Sequence, residues 1–218
     1  MRIPIHREGW PFIALFAAAN VALYWLSPWL GAAFAPLTLW CIAFFRDPER
    51  TPPDGEHLVV SPADGVLLPI VQAAPPPELE MGNEPRPRLS IFMNVFAVHV
   101  NRLPVSGEVI ALDYKPGRFI NASFDKASDL NERMSSRIRP AGHGHVEDDL
   151  AVVQIAGLVA RRIVCQLRVG ERVRRGARFG MIRFGSRLDV YLPLSARIVI
   201  KEGLVTRAGE TVLAELRG

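Results

Sequence analysis

The 218-residue sequence predicts a mainly β fold, a compact barrel or sandwich of short strands, with an N-terminal hydrophobic helical hairpin attached. Three observations carry this. No charged residue occurs from Gly9 to Phe45. From Leu58 onward, short strand-like runs are punctuated by glycine and proline. Near the C-terminus a faint repeat places Gly, then Val, then a second Gly ahead of an apolar run, in VGERVRRGARFGMIRFG and again in KEGLVTRAGETVLAEL.

The apolar stretch WPFIALFAAANVALYWLSPWLGAAFAPLTLWCIAFF is too long for one unbroken helix. It divides at Ser27-Pro28, with Gly31 and Pro36 as further breakers, and predicts helices near 11–26 and 32–45. Each falls somewhat short of the roughly 20 residues that cross a bilayer, so the hairpin either barely spans or re-enters. Arg2 and Arg7 precede it and Arg46 and Arg50 follow it, which puts both ends on the cytoplasmic face of the cell (inner) membrane. Trp10, Trp25, Trp29 and Trp40 lie near the ends, as interface anchors do. A cleaved signal peptide fits less well, because the run is too long and lacks a clear cleavage site. A buried core helix pair is the other alternative. The expected division is therefore a membrane-associated hairpin, 1–46, and a second domain, 47–218.

Within 47–218, LVVSPADGVLLPIV reads as strands around a Pro-Ala-Asp-Gly turn, and QAAPPPELEMGNEPRPR, with five prolines, as a loop. RLSIFMNVFAVHV, VSGEVIALDY, LAVVQIAG and ARRIVCQLRV read as strands. SFDKASDLNERMSS reads as one helix or a long irregular loop, and RPAGHGHVEDD as a loop.

The net charge of +4 is carried almost wholly by arginine, since Lys115, Lys126 and Lys201 are the only lysines. Nine arginines fall between Arg161 and Arg187 against one acid, Glu171. They form either a solvated strand face or a surface for anions, and phospholipid headgroups suit a chain with a membrane segment. No aromatic residues interleave with them as a base-stacking platform requires, which argues against nucleic acid. Cys41 and Cys165 make no disulfide framework, and a reducing compartment follows. No Cys/His cluster suggests a structural metal; His143 and His145 form a pair without convincing further ligands.

The pair Gly185-Ser186 interrupts the strand-like MIRFGSRLDVYLP. It is not a G-x-S-x-G elbow, because strand lies on both sides. A serine hydroxyl directly after a glycine carbonyl can attack it, moving the acyl group from N to O, and glycine tolerates the twist this needs. Most Gly-Ser pairs are simply turns.

RFGSRLDVYLP, with FFRDPER, SPADG, FMNVFAVHVNRLPVSGEV, NER and QIAGLVARRIV in this order, resembles the phosphatidylserine decarboxylase family. More narrowly it is similar to that family's short proenzymes, a type that also covers archaetidylserine enzymes. The resemblance runs from about residue 44 to the C-terminus. It implies self-cleavage between Gly185 and Ser186 into chains 1–185 and 186–218 that stay together non-covalently. It also implies conversion of Ser186 to a pyruvoyl group that takes the substrate amine as a Schiff base. The implied reaction is decarboxylation of phosphatidylserine in the membrane to phosphatidylethanolamine and CO2. Phosphatidylserine against a related serine lipid, acyl-chain preference and homo-oligomerisation are left open.

The resemblance also favours His99, in VFAVHVNR, as general acid or base, with a pKa range suited to proton transfer near neutrality. Longer relatives carry a second histidine three residues on. Arg102 stands there in this chain, so His99 serves both self-cleavage and protonation, or Arg102 supports an oxyanion. Asp64 of SPADG orients His99 or accepts a proton; otherwise it is a turn residue. Asp189, three strand positions from Ser186, faces the other side and is left out. Two competing readings remain. One is a membrane-anchored zinc peptidase using His143 and His145. The other is a non-enzymatic membrane-tethered β adaptor.

Overall fold

A computed structural model of the chain describes residues 4–117, 131–157, 163–183 and 186–217. It contains two helices, α1 (Trp10–Leu26) and α2 (Pro28–Phe44). The strands, in order, are β1 (Leu58–Val60), β2 (Gly65–Leu67), β3 (Val71–Ala73), β4 (Arg86–Met93), β5 (Val100–Arg102), β6 (Gly107–Lys115), β7 (Arg133–Pro140) and β8 (Leu150–Ala156). They continue with β9 (Ile163–Cys165), β10 (Arg172–Val173), β11 (Arg178–Ile182), β12 (Ser186–Tyr191), β13 (Arg197–Ile198), β14 (Val205–Thr206) and β15 (Val212–Glu215). The chain divides into two units, 1–49 with 96–98, and 50–95 with 99–218.

The first unit is the hairpin. Ser27 alone separates the helices, and Pro28 is tolerated because it opens α2, where its missing N–H is not needed. The sequence expectation is corrected here: Gly31 and Pro36 do not break α2, which starts at Pro28 rather than near 32. Gly31 is instead a point of close approach, since a Cβ there would lie 2.7 Å from Tyr24 Cβ. Asn20 Nδ2 donates to the Gly31 carbonyl at 3.1 Å, and Phe16 stacks on Phe34. The two ends of the hairpin meet: Ile5 bridges Arg46, the His6 N–H donates to the Phe45 carbonyl, and the Asp47 N–H to that of Pro4. Residues Arg7–Leu26 form one helical stretch long and apolar enough to cross a membrane, with mean hydropathy 1.4.

The second unit is sandwich-like, and its sheets form no closed barrel among the described residues. Nine antiparallel strands run in the order β10-β6-β7-β8-β12-β4-β2-β14, with β3 also on β4. Two three-stranded sheets accompany them, β1-β15-β13 and β5-β11-β9. Every residue of β8 and β12 is buried, so the middle of the large sheet is covered on both faces. The C-terminal repeat is real: Gly170, Gly176, Gly203 and Gly209 all have φ near +80° (75 to 81°), and each pair brackets a two-residue strand.

Two local expectations are corrected. RLSIFMNVFAVHV is not one strand; β4 ends at Met93, a turn follows, and β5 begins at Val100. The expected helix or loop in SFDKASDLNERMSS lies largely outside the described residues, but its end, Arg133–Ser136, opens β7, and the first residues expected as loop in RPAGHGHVEDD close it.

Candidate active site

Ser186 opens β12 between Met93, the last residue of β4, and Ala156, the last of β8. It is wholly buried, and its Oγ lies 4.0 Å from Met93 Sδ. Side chains alternate along a strand, so Ser186, Leu188 and Val190 share one face with Met93, Ile91, Gln154 and Ala156. A short chain of amides closes on the same spot. Asn101 Nδ2 donates to Met93 Sδ at 3.7 Å, and Gln154 Nε2 donates to Asn101 Oδ1 at 2.8 Å. Gln154 Oε1 is buried and accepts no hydrogen bond among the described residues. Gly180, opposite Asn101 on β11, leaves room for this pair: a Cβ there would sit 2.9 Å from Gln154 Nε2 and 2.2 Å from the Val164 carbonyl oxygen.

His99 is wholly buried and immediately precedes β5. Met181 pairs with Val100, so one further step of that register sets His99 opposite Ile182, four residues before Ser186. Arg102 is turned elsewhere. Its Nη1 donates to the Gly176 carbonyl at 2.8 Å, and its stem packs on Gly209. Asp64 accepts from Arg50 Nη2 at 2.8 Å and from the Ala208 N–H at 2.7 Å. The turn holding Ala208 and Gly209 thus brings Asp64 and Arg102 together, while Ser186 is gathered with Met93, Asn101 and Gln154. Gly185 lies outside the described residues. On the neighbouring β9, burial pushes the Cys165 thiol up. His143, of the other histidine pair, faces Asp148 at 3.5 Å.

Asn131, next to the site in space, donates its Nδ2 to the Ala156 carbonyl at 2.7 Å. Sequence reading did not single out Gln154 or Asn101. The available signal was Gln154 itself, one amide in the otherwise apolar LAVVQIA.

The sequence profile of the family described as phosphatidylserine decarboxylase matches residues 37–214. The chain belongs to the phosphatidylserine decarboxylase family. A relative in Paramagnetospirillum magneticum, the "Phosphatidylserine decarboxylase proenzyme", is 54% identical over 213 residues, covering 98% of this chain and 87% of the relative. As a member of the family the chain is an enzyme, a decarboxylase, and neither competing reading from the sequence is needed. Of the nine arginines between 161 and 187, Arg168, Arg172, Arg174 and Arg178 are exposed. Two turn inward: Arg187 binds Asp189, and Arg175 donates to the carbonyls of Pro53, Gly55 and Leu58. Arg161 and Arg162 lie outside the described residues.

Proposed function

We propose that the chain is a self-processing, pyruvoyl-dependent enzyme that converts phosphatidylserine to phosphatidylethanolamine and CO2 through a Schiff base. The carrying observation is the place of Ser186. It begins a strand laddered to β4 and β8 at all six of its residues, so cleavage before it leaves chain 186–218 held on both sides of chain 1–185. The relative's name, a proenzyme, supports a maturation step.

In that step Ser186 Oγ attacks the Gly185 carbonyl and the acyl group moves from N to O. Elimination then breaks the Cβ–O bond, leaving a carboxylate on Gly185 and a dehydroalanine that hydrolyses with loss of ammonia to the pyruvoyl group. The surroundings fit such a group. Ala156 and Met93 flank it with small or soft side chains, and Gln154 Oε1 offers a buried acceptor on the same face to an incoming ammonium. The pyruvoyl group, once formed, supplies an electrophilic carbonyl that accepts the electrons left when CO2 departs.

His99 is the proton carrier in this reading, which its burial directly before β5, the strand paired with β11, supports. Asp64 and Arg102 stand together at the 207–211 turn, where Asp64 accepts from the Ala208 N–H and the Arg102 stem packs on Gly209. The hairpin, 1–46, anchors the enzyme to the inner membrane, with the catalytic domain, 47–218, on the cytoplasmic face. The joined ends of the hairpin support a common side for its two flanks.

Intact-mass spectrometry beside a Ser186→Ala variant tests the proposal. Wild type should give two fragments meeting at 185/186, the smaller blocked by a ketone. The variant should stay whole at 24.1 kDa. A folded wild type that also stays whole overturns the reading.

A further inference from the structure

The turn between β4 and β5 carries Asn94-Val95-Phe96-Ala97-Val98, five residues without a charge. Its tip is apolar and open: Val95 is 36% exposed and Phe96 71%. Single exposed apolar side chains are ordinary on a protein surface, as Tyr114 and Val205 are here. Phe96 differs in its company. Phe96–Val98 form one compact unit with residues 1–49, the hairpin, whereas Val95 and His99 on either side belong to the other unit. Arg46, just after α2, makes the tie. Its Nη1 donates to the Ala43 carbonyl in the last turn of α2 and its Nη2 to the Phe96 carbonyl, both at 2.7 Å.

That tie fixes a level. Among the described residues α1 buries none of its side chains in protein, and α2 buries only Gly31, Cys41 and Phe44. An apolar helix pair so little covered by protein is solvated by lipid once it is anchored. Arg46 ends the apolar run, and a guanidinium in that position sits among the headgroups. The backbone of Phe96, bonded to the same guanidinium, sits there with it. Its carbonyl is already satisfied, which lowers the cost of leaving water. Aromatic and aliphatic side chains at this depth bury themselves at the boundary of headgroups and acyl chains.

We propose that the Val95-Phe96 tip is a second membrane contact, inserted into the bilayer surface beside the hairpin, and that it holds the reaction site at headgroup depth. This rests on the anchoring role proposed above for 1–46. Met93, the ladder partner of Ser186, precedes Phe96 by three residues, and His99 follows it by three. Three residues of chain reach at most about 11 Å. The tether keeps both close to the lipid surface, so that a serine headgroup is taken up while its acyl chains stay in the bilayer.

The first test uses the full-length Ser186→Ala chain, so that its result does not depend on self-cleavage. Cys41→Ala and Cys165→Ala remove the native thiols. An environment-sensitive fluorophore is attached at Phe96→Cys or, for comparison, at Lys201→Cys, an exposed position in the other unit. The labelled chains are placed in vesicles of phosphatidylcholine and phosphatidylglycerol. Emission at 96 should be blue-shifted, and lipids with a shallow spin label should quench it several-fold more than emission at 201. A chain that does not float with the vesicles overturns the anchoring role and the proposal together. A chain that floats with position 96 quenched no more than 201 overturns the proposal alone. A blue shift without lipid quenching means that protein, such as a second copy of the chain, covers the tip, and overturns it too.

The second test is turnover by the matured enzyme. With long-chain phosphatidylserine in the same vesicles, Phe96→Asp should lose activity several-fold and Phe96→Leu should lose little. With a short-chain, monomeric phosphatidylserine both should match wild type. Equal loss on the two substrates assigns Phe96 to the fold and overturns the proposal. If wild type neither cleaves itself nor turns over lipid, the decarboxylase reading fails, and the fluorescence result still decides whether the tip meets the membrane.

Discussion

Along β12, alternate side chains enter two different environments. Ser186, Leu188 and Val190 meet Met93, Ile91, Leu89, Gln154 and Val152, a dry layer in which these residues bring one amide and one hydroxyl as polar groups. Arg187, Asp189 and Tyr191 meet Arg88, Ser90 and Arg133, an ionic layer almost as deeply buried. A nucleophile whose own backbone must break gains from the first kind of surroundings, where its ladder neighbours among the described residues, Met93 and Ala156, carry no charge. The second kind is expensive to assemble and holds the same strand in register from behind. The strand is thus fixed by one face and reacts from the other, and each face can be disturbed separately.

The largest effect should come from the ionic face. Asp189→Ala leaves Arg187 and Arg88 buried without their shared carboxylate, which costs about 3–5 kcal/mol, a large fraction of an ordinary domain's stability. Urea denaturation of the uncut Ser186→Ala chain measures it, with and without the second change. A loss below about 1 kcal/mol would mean that the ionic layer does not hold the strand.

Next comes Gly180→Ala, on the dry side. Its Cβ would meet the Val164 carbonyl oxygen at 2.2 Å, and backbone cannot move aside as a long side chain does. We expect about 1–3 kcal/mol of destabilisation and slower self-cleavage, followed on gels over time. Cleavage at the wild-type rate would show that the Asn101–Gln154 pair does not need its present position.

Gln154→Leu separates chemistry from stability on the same face. It removes an orphaned acceptor and also the donor to Asn101, two changes of opposite sign, so stability should move by only about 1 kcal/mol. Turnover by the matured enzyme should fall about tenfold or more, because the buried acceptor for the substrate ammonium is lost. Unchanged turnover would remove Gln154 from the site.

How far each layer could be read in advance follows from the same contrast. LAVVQIA and the two Gly-Val-Gly repeats were legible because local pattern decides them: continuous burial makes one a central strand, and positive φ at fixed spacing makes the other a pair of turns. Gly31 and Pro36 misled, because an apolar helix packed on a neighbour tolerates both. In RMSSRIRP the inward residues Arg133, Ser135 and Arg137 look like loop until their partners Glu78 and Asp149 are known, and those lie far off in sequence. Ser186, His99, Asp64 and Arg102 were singled out on family resemblance. The groups beside three of them, Met93 at Ser186, Ala208 at Asp64 and Gly176 at Arg102, come from far off in sequence, which no short motif encodes.

The smallest effect is a titration on the ionic face. Burial, and then the nearby Asp189 carboxylate, push the Tyr191 hydroxyl above its ordinary value of 10.0. The folded chain therefore holds that proton to a higher pH than the unfolded chain does. Between the two values the folded state binds more protons, so stability falls as pH rises, and the contribution is intact only below the unfolded value. Tyr191→Phe cannot titrate. Its stability relative to wild type should improve from about pH 10 upward and be flat below it, when both are followed by urea denaturation across that range. A difference independent of pH would mean that the tyrosine ionises as freely in the fold as outside it, and that the layer behind Ser186 is wetter than its burial implies.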